Sequence, residues 1–155
     1  MSNFFSYAGA SEPEGPPAQR AILADLSSDD WEKFIGYAAR RRYPAGAVVV
    51  EAGSTARRLC FVASGQVELR SAGAPKKAAP QPRGEGDVFG ILSFLDGAPS
   101  GVTVTVAAAG PAELLLLSPE ALLQLAAWQP RIAVALLRDL GAHVAARLRA
   151  LQPGD

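Results

Sequence analysis

The chain has 155 residues, and its fifteen Lys and Arg balance fifteen Asp and Glu, so that its formal net charge at pH 7 is zero. This length suits one domain with a substantial core. The charge balance argues against binding of nucleic acid or an anionic membrane through a broad, positively charged surface. A single cysteine, Cys60, excludes an internal disulfide framework and suits a reducing compartment. Since no apolar run approaches the ~20 residues of a membrane span and no signal peptide begins the chain, we expect a cytoplasmic protein without a membrane span.

Residues 1–20 are rich in proline and glycine, a composition that predicts a disordered tail. Phe4, Phe5 and Tyr7 stand out within it, and two interpretations of them remain open. They are either apolar residues of a frayed terminus that lie on the body, or a short docking peptide that grips a partner or a neighbouring subunit. A folded domain is predicted over residues 21–151, with a second short tail at 152–155.

The first predicted helix begins at Ser27 and Asp30, which have the spacing of a capping box. We expect it to end at Tyr43-Pro44, with the basic run Arg40-Arg41-Arg42 in its last turn, where cations complement the helix dipole. A nucleic-acid contact is the alternative use of those arginines. The residues expected on the apolar face of this helix are Trp31, Phe34, Ile35 and Ala38.

From residue 45 onward, short apolar runs separated by turns predict β-strands. The predicted strands lie at residues 48–50, 59–63, 67–69 and 102–106, and a further apolar run covers residues 114–117. Cys60 falls within one of them and is predicted to be a buried small hydrophobe. Residues 71–86 hold several prolines and glycines and are predicted to form a long, mobile connection. Its cations Lys76, Lys77 and Arg83 are expected in solvent, and the alternative is that they reach over a bound phosphate.

The stretch from Gly86 to Val104 combines a strand, a glycine corner, a helical turn, a second corner and another strand. Gly90 frees the backbone to turn, and the N–H groups of the helical turn that follows suit an anion. Val102, Val104 and Val106 alternate with two threonines, which is the period of a half-buried strand. The sequence therefore predicts a phosphate-binding arrangement at this point.

This stretch resembles the phosphate-binding cassette of cyclic-nucleotide-binding domains, as found in the catabolite-activator family and in kinase regulatory subunits. That cassette runs Phe-Gly-Glu-Leu and then Pro-Arg-Ser/Thr-Ala-Thr-Val, and residues 61–69 are also similar to the family's second and third strands. The resemblance implies a mainly β fold, an eight-stranded β-roll or jelly roll with an N-terminal helix and two C-terminal helices. The ligand-binding positions that it implies are Phe89, Gly90, Ile91, Leu92, Pro99, Ser100, Gly101 and Thr103.

Two positions depart from the family pattern. In the family, the Glu accepts a hydrogen bond from the ribose and the Arg pairs with the cyclic phosphate, whereas this chain has Ile91 and Ser100 there. It also has Gly101 where a hydroxyl is common. Loss of the arginine should cost about 2–4 kcal/mol of binding free energy. We therefore do not expect micromolar binding of ordinary cyclic AMP.

Two helices are predicted to close the chain, at about 119–128 and 130–151. The second carries one apolar stripe, most of which is expected to cover the β-roll, with a smooth flank of small residues at 141–146. Its residues Leu140, Val144 and Leu148 are predicted to contact a protein partner or a second copy of the chain. His143 is expected to be a surface or interface residue. Because only four residues follow Leu151, we expect no helix-turn-helix and no DNA partner. The stripe consists of Ala133, Leu137, Leu140, Val144, Leu148 and Leu151.

No catalytic set and no metal-ligand spacing is visible, so we expect neither an enzyme nor a bound cofactor. A cupin-type jelly roll is disfavoured because it would normally show a histidine-rich metal set. Two hypotheses remain. In the first and favoured one, the chain is a degenerate module that acts through protein contacts, and its own side chains fill the cassette. In the alternative, it senses a non-standard nucleotide or metabolite, and Ser100 and Thr103 face into an open pocket.

Overall fold

The computed structural model describes residues 22–152, which form two four-stranded antiparallel sheets and four helices. The helices are α1 (Ser28–Ile35), α2 (Ile91–Asp96), α3 (Pro119–Trp128) and α4 (Pro130–Ala150). The strands are β1 (Ala39–Tyr43), β2 (Val48–Val50), β3 (Leu59–Ser64), β4 (Val67–Ser71), β5 (Gln81–Arg83), β6 (Val88–Phe89), β7 (Val102–Val106) and β8 (Ala112–Leu117).

The two sheets have the orders β1-β8-β3-β6 and β2-β7-β4-β5 and face each other across an apolar interior. The helices α1, α3 and α4 pack on the outside of the first sheet. The predicted eight-stranded β-roll with one N-terminal and two C-terminal helices is therefore confirmed.

The two central strands of the first sheet, β8 and β3, are covered on both faces, which explains the uninterrupted leucine run of β8. Leu114 and Leu116 point between the two sheets, whereas Leu115 and Leu117 point toward the helices. Side chains alternate along a strand, so a strand covered on both sides must be apolar at every position. β3 follows the same rule. Its Cys60 lies between the sheets and is fully buried, as predicted.

The second sheet is buried on one face and shows the alternation that the sequence predicted. Val104 and Val106 point into the roll and are buried, whereas Thr103 and Thr105 point away from it and are only partly buried. Val67 of the neighbouring strand β4 is fully buried on the same inner face. One-sided burial therefore accounts for the Val-Thr pattern.

The prediction for the basic run Arg40-Arg41-Arg42 was wrong. α1 already ends at Ile35, with Gly36 as its C-cap, and the arginines lie in β1, at the edge of the first sheet. Pairing with β8, which sets Arg41 opposite Leu114, overrides the helical pattern. Charged, exposed side chains are a common protection for an edge strand, and Arg40 also forms an ion pair of 3.2 Å with Glu113.

The long connection predicted over residues 71–86 also needs correction, because it contains β5. This strand pairs with β4, with Val67 opposite Arg83 and Leu69 opposite Gln81. Pro82 lacks an N–H and is tolerated because β5 is an edge strand.

α1 begins with the predicted cap and is joined to α4 by an ion pair. The Ser27 hydroxyl accepts a hydrogen bond of 3.1 Å from the N–H of Asp30. The Asp30 carboxylate accepts two bonds of 2.8 Å from the guanidinium of Arg131. Because this bidentate bond lowers the pKa of Asp30, the carboxylate stays ionised in the folded state.

The two C-terminal helices lie where the sequence predicted them, but α4 divides its apolar residues between two faces. Ala133 and Leu140 are buried with Ile132 and Leu136 against the first sheet. Leu140 is fully buried, so it lies in the core and does not present a surface to a partner, contrary to the prediction. Among residues 22–152, no helix has both the length and the apolar character that crossing a membrane would require.

Candidate functional site

The cassette has the predicted order of β6, glycine corner, α2, glycine corner and β7. Gly90 caps α2 with φ of 83°, and Gly97 ends it with φ of 74°, both in the left-handed region that favours glycine. A Cβ at Gly90 would lie 2.6 Å from the carbonyl oxygen of Arg58. The corner therefore depends on glycine for its conformation and for the close approach of the chain before β3.

An arginine that the sequence analysis missed closes the other end of α2. The Arg57 guanidinium donates to the carbonyl oxygens of Ser93, at 3.3 Å, and Phe94, at 2.8 Å. These carbonyls belong to the last turn, where a cation is favourable. Nothing local in the sequence signals this contact, because 37 residues separate Arg57 from Phe94.

The three side chains of the Phe-Gly-Ile-Leu motif lie in three different environments. Phe89 is buried between the sheets, and Ile91 is buried in the cluster beneath the helices. Leu92 is 63% exposed. The position where the family carries its ribose-binding glutamate is therefore a core position in this chain.

The second half of the cassette is held by hydrogen bonds within the chain. The Ser100 hydroxyl donates to the Val102 carbonyl at 2.8 Å and accepts from the Val102 N–H at 3.2 Å. The Thr103 hydroxyl accepts from the Ala52 N–H at 3.0 Å. Pro99 and Gly101 are exposed beside them. Both hydroxyls that the alternative hypothesis assigned to a ligand therefore already have backbone partners.

The turn after β2 lies directly against this loop. Gly53 donates its N–H to the Ser100 carbonyl at 2.7 Å, and the Ser54 carbonyl accepts the Ser100 N–H at 2.8 Å. An open cleft of about 700 Å³ runs along residues 48–55. It is lined by β2 and its turn and includes none of the predicted cassette residues.

α4 exposes a second apolar surface, which we call the α4 stripe. Its residues are spaced by three and four positions in turn, as in a heptad repeat, so they fall on one side of the helix. Leu137, Leu148 and Leu151 are 42%, 52% and 79% exposed, and Val144 is partly buried at the edge of the core. The α4 stripe consists of Val134, Leu137, Gly141, Val144, Leu148 and Leu151.

Three basic side chains, Arg83 of β5 and His143 and Arg147 of α4, interact electrostatically. The charges of Arg83 and Arg147 act on each other and on His143. Burial, followed by these two arginines, lowers the pKa of His143 below its usual value. The sequence analysis treated Arg83 and His143 separately, because 60 residues divide them.

The predicted contacts of Phe4, Phe5 and Tyr7 lie outside the described residues, as do most of the two predicted tails. They stay predictions.

Residues 40–127 match the family model described as the cyclic nucleotide-binding domain. The match includes the cassette, β2 to β8 and all of β1 except Ala39.

Solved structures support the same assignment. The Thermus thermophilus catabolite activator protein is similar with a TM-score of 0.72 and 28% identity, covering 84% of this chain and 59% of that one. The N-terminal domain of a transcriptional regulator from Streptomyces coelicolor A3(2) gives 0.70 and 25%, covering 91% and 97%. A cyclic nucleotide-binding domain from Methylobacillus flagellatus gives 0.71 and 22%, covering 96% and 80%, which is evidence for the fold alone.

A curated relative is glutaminase 2 of Bradyrhizobium diazoefficiens, with 30% identity over 130 residues. The match covers 84% of this chain but only 20% of the glutaminase, so the chain corresponds to a fifth of that protein.

Proposed function

The chain belongs to the cyclic nucleotide-binding domain family, and on that premise we propose that it is a non-catalytic regulatory module that acts through protein contacts. In this proposal the cassette serves as a structural scaffold and does not bind cyclic AMP or cyclic GMP in the family's usual way.

The hydrogen bonds of the cassette loop carry this proposal. Ser100 and Thr103 both use their hydroxyls on backbone groups of the chain. A ligand that took these hydroxyls would have to break bonds that hold the loop against the turn at Gly53. The alternative, a sensor with Ser100 and Thr103 facing an open pocket, receives less support from this geometry.

The charge of the cassette points the same way. A cyclic phosphate is an anion, and the cassette's predicted ligand positions include no cationic side chain. The neighbouring Arg57 donates to the carbonyls of α2. A phosphate there would lack the charge-assisted bond that is typically the strongest polar contact of such a site.

For the partner surface we propose the α4 stripe, with a second copy of the chain as its occupant. Heptad spacing suits a parallel or antiparallel helix pair, in which each apolar residue fits between residues of the facing helix. Gly141 lies within the stripe, and the exposed Ala145 lies beside it, so a second helix can approach closely. Chains with no net charge do not repel one another at long range.

Sedimentation equilibrium of the full chain tests this surface. We expect a dimer that Leu148→Glu converts to a monomer, because the variant places a carboxylate within the apolar contact. Leu123→Glu is the matched control, since Leu123 lies on α3 and is 70% exposed. A dimer that survives Leu148→Glu, or a wild-type monomer at high micromolar concentration, would contradict self-association through α4.

A further inference from the structure

We propose that the outer edge of β1 is a docking site for an acidic segment of a protein partner, which binds in extended conformation as an additional strand of the first sheet. β1 pairs with a neighbour on one side only, and its residues Arg40, Arg41 and Arg42 are exposed. This edge is distinct from the cassette and from the α4 stripe. The inference therefore extends the proposed action through protein contacts without depending on self-association.

The backbone of β1 is available for pairing along the whole strand. Its five residues pair with β8 in unbroken register, from Ala39 opposite Leu116 to Tyr43 opposite Ala112. An edge strand presents a row of unpaired N–H and C=O groups on its other side. Within residues 22–152, no backbone hydrogen bond from a turn, a loop or a helix cap involves residues 39–43. The free edge of β1 is therefore a template that a further strand can use.

The other edge strands of the two sheets are obstructed or very short. The register of β2 shifts between Val48 and Val50, and the Val49 carbonyl accepts a hydrogen bond of 3.3 Å from the guanidinium of Arg58. β5 contains Pro82, which has no N–H to donate. β6 has two residues. Among the edges that the structure describes, β1 therefore offers the longest regular one.

The charge of this edge determines the kind of strand that fits it. Glu113 forms the ion pair of 3.2 Å with Arg40 and lies opposite Arg42 in the ladder. Among the described residues, Arg41 and Arg42 form no ion pair. Opposite charges on neighbouring strands stabilise a sheet, whereas like charges directly opposite destabilise it. An acidic strand is therefore favoured at this edge, and a second copy of β1, which sets arginine beside arginine, is disfavoured.

The arginines lie on both faces of the sheet, which favours a polypeptide over a nucleic acid. Arg41 is opposite Leu114, which points between the sheets, and Arg40 is opposite Leu115, which points toward the helices. Directly opposite side chains share a face, so successive arginines alternate between the two faces. A bound strand alternates in the same way and can place a carboxylate beside an arginine on either face. A nucleic-acid site normally gathers its cations on one face.

Titration of the full chain with a synthetic peptide tests this surface, with the backbone amide signals followed by NMR. The probe is a short peptide with blocked ends that alternates glutamate with valine. We expect saturable shifts centred on β1 and slower amide exchange in that strand. The same peptide with every amide nitrogen methylated keeps its charge but cannot donate to an edge strand. It should therefore bind at least about 10-fold more weakly.

Charge reversal on β1 provides the second arm of the test. The combined Arg41→Glu and Arg42→Glu variant should bind the acidic peptide at least about 10-fold more weakly. Arg138→Glu is the matched control, since Arg138 is exposed on α4, and it should bind like the wild type. Leu148→Glu should also bind normally, which separates this edge from self-association.

Several results would overturn the proposal. They are no shift at millimolar peptide, equal binding of the methylated peptide, or equal weakening by Arg138→Glu. A single-stranded oligonucleotide that shifts the β1 amides when the peptide does not would assign the arginines to nucleic acid instead. The comparison of the two peptides uses the wild-type chain, so it decides the matter even if the β1 variant does not fold.

Discussion

Replacing Gly90 with alanine tests whether the cassette corner depends on the close approach seen in the structure. The added Cβ would lie 2.6 Å from the backbone carbonyl oxygen of Arg58, and Gly90 has φ of 83°. Two separate penalties follow, one from the left-handed conformation and one from the contact. Because the contact is with backbone, a rotamer change cannot relieve it.

The expected loss of stability is the sum of these penalties. An alanine in the left-handed region costs about 1–2 kcal/mol, offset by about 0.4–1 kcal/mol because alanine restricts the unfolded chain. Overpacking against Arg58 adds about 1–3 kcal/mol. The free energy of unfolding should fall by about 1–4.6 kcal/mol, and each kcal/mol lowers Tm by about 2–4 °C for a chain of this size.

Gly73→Ala provides the control, because Gly73 has φ of 79° but a Cβ there would meet nothing within 4 Å. Urea and thermal unfolding of both variants separate strain from contact. We expect Gly73→Ala to lose about 1 kcal/mol or less. Equal losses in the two variants would refute the close approach of Gly90 to Arg58.

Three further predictions concern single side chains. Burial raises the pKa of Cys60 to about 12, so a thiol reagent at pH 8 should label it only after unfolding; rapid labelling of the native protein would contradict its buried position. The lowered pKa of Asp30 means that its ion pair stabilises the fold above the usual value of 3.8 and loses this effect as the pH falls through the lower folded value. Asp30→Asn should therefore lower Tm at pH 6 and matter little near pH 2, and a deficit independent of pH would exclude the ion pair as its cause. Arg57→Ala should cost about 0.5–1.5 kcal/mol and speed amide exchange in α2, whereas unchanged exchange would show that Arg57 does not hold this helix.

Local patterns predicted most of the fold. The alternation of Val104 and Val106 with threonines, the glycine at 90 and the cap at Ser27 each act over a few residues, and each lies where the sequence placed it. β8 required more, because the leucine run alone is ambiguous between a strand and a buried helix segment. The sequence analysis therefore recorded residues 114–117 only as an apolar run, and the structure shows that they belong to the strand β8.

The errors arose where distant pairing decides the structure. Arg40-Arg41-Arg42 follows a helix and has no alternation, so its strand forms only because β8 supplies hydrogen bonds from more than 70 residues away. Pro82 indicated a loop, yet it lies in the edge strand β5, which pairs with β4. Which leucines of α4 are buried depends on its rotation over the first sheet, and periodicity alone did not assign Leu140 to the core.

The candidate sites show the same difference between local patterns, which the sequence reveals, and contacts between distant residues, which it does not. The sequence located the cassette and its departures from the family pattern, because these lie within one continuous stretch. It could not show that Ser100 and Thr103 would be held by backbone groups. It also could not show that Arg83 and Arg147 act electrostatically on His143, because Arg83 and His143 are 60 residues apart in the chain.

Isothermal titration calorimetry of the full chain with cyclic AMP and cyclic GMP tests the central proposal, that the cassette is a scaffold, most directly. The account predicts no binding heat in the micromolar range for either nucleotide, because the cassette loop is held by its own hydrogen bonds and its predicted ligand positions carry no cationic side chain. A saturable micromolar isotherm that is lost in Ser100→Ala and retained in Arg83→Gln would place the nucleotide in the cassette and contradict the account.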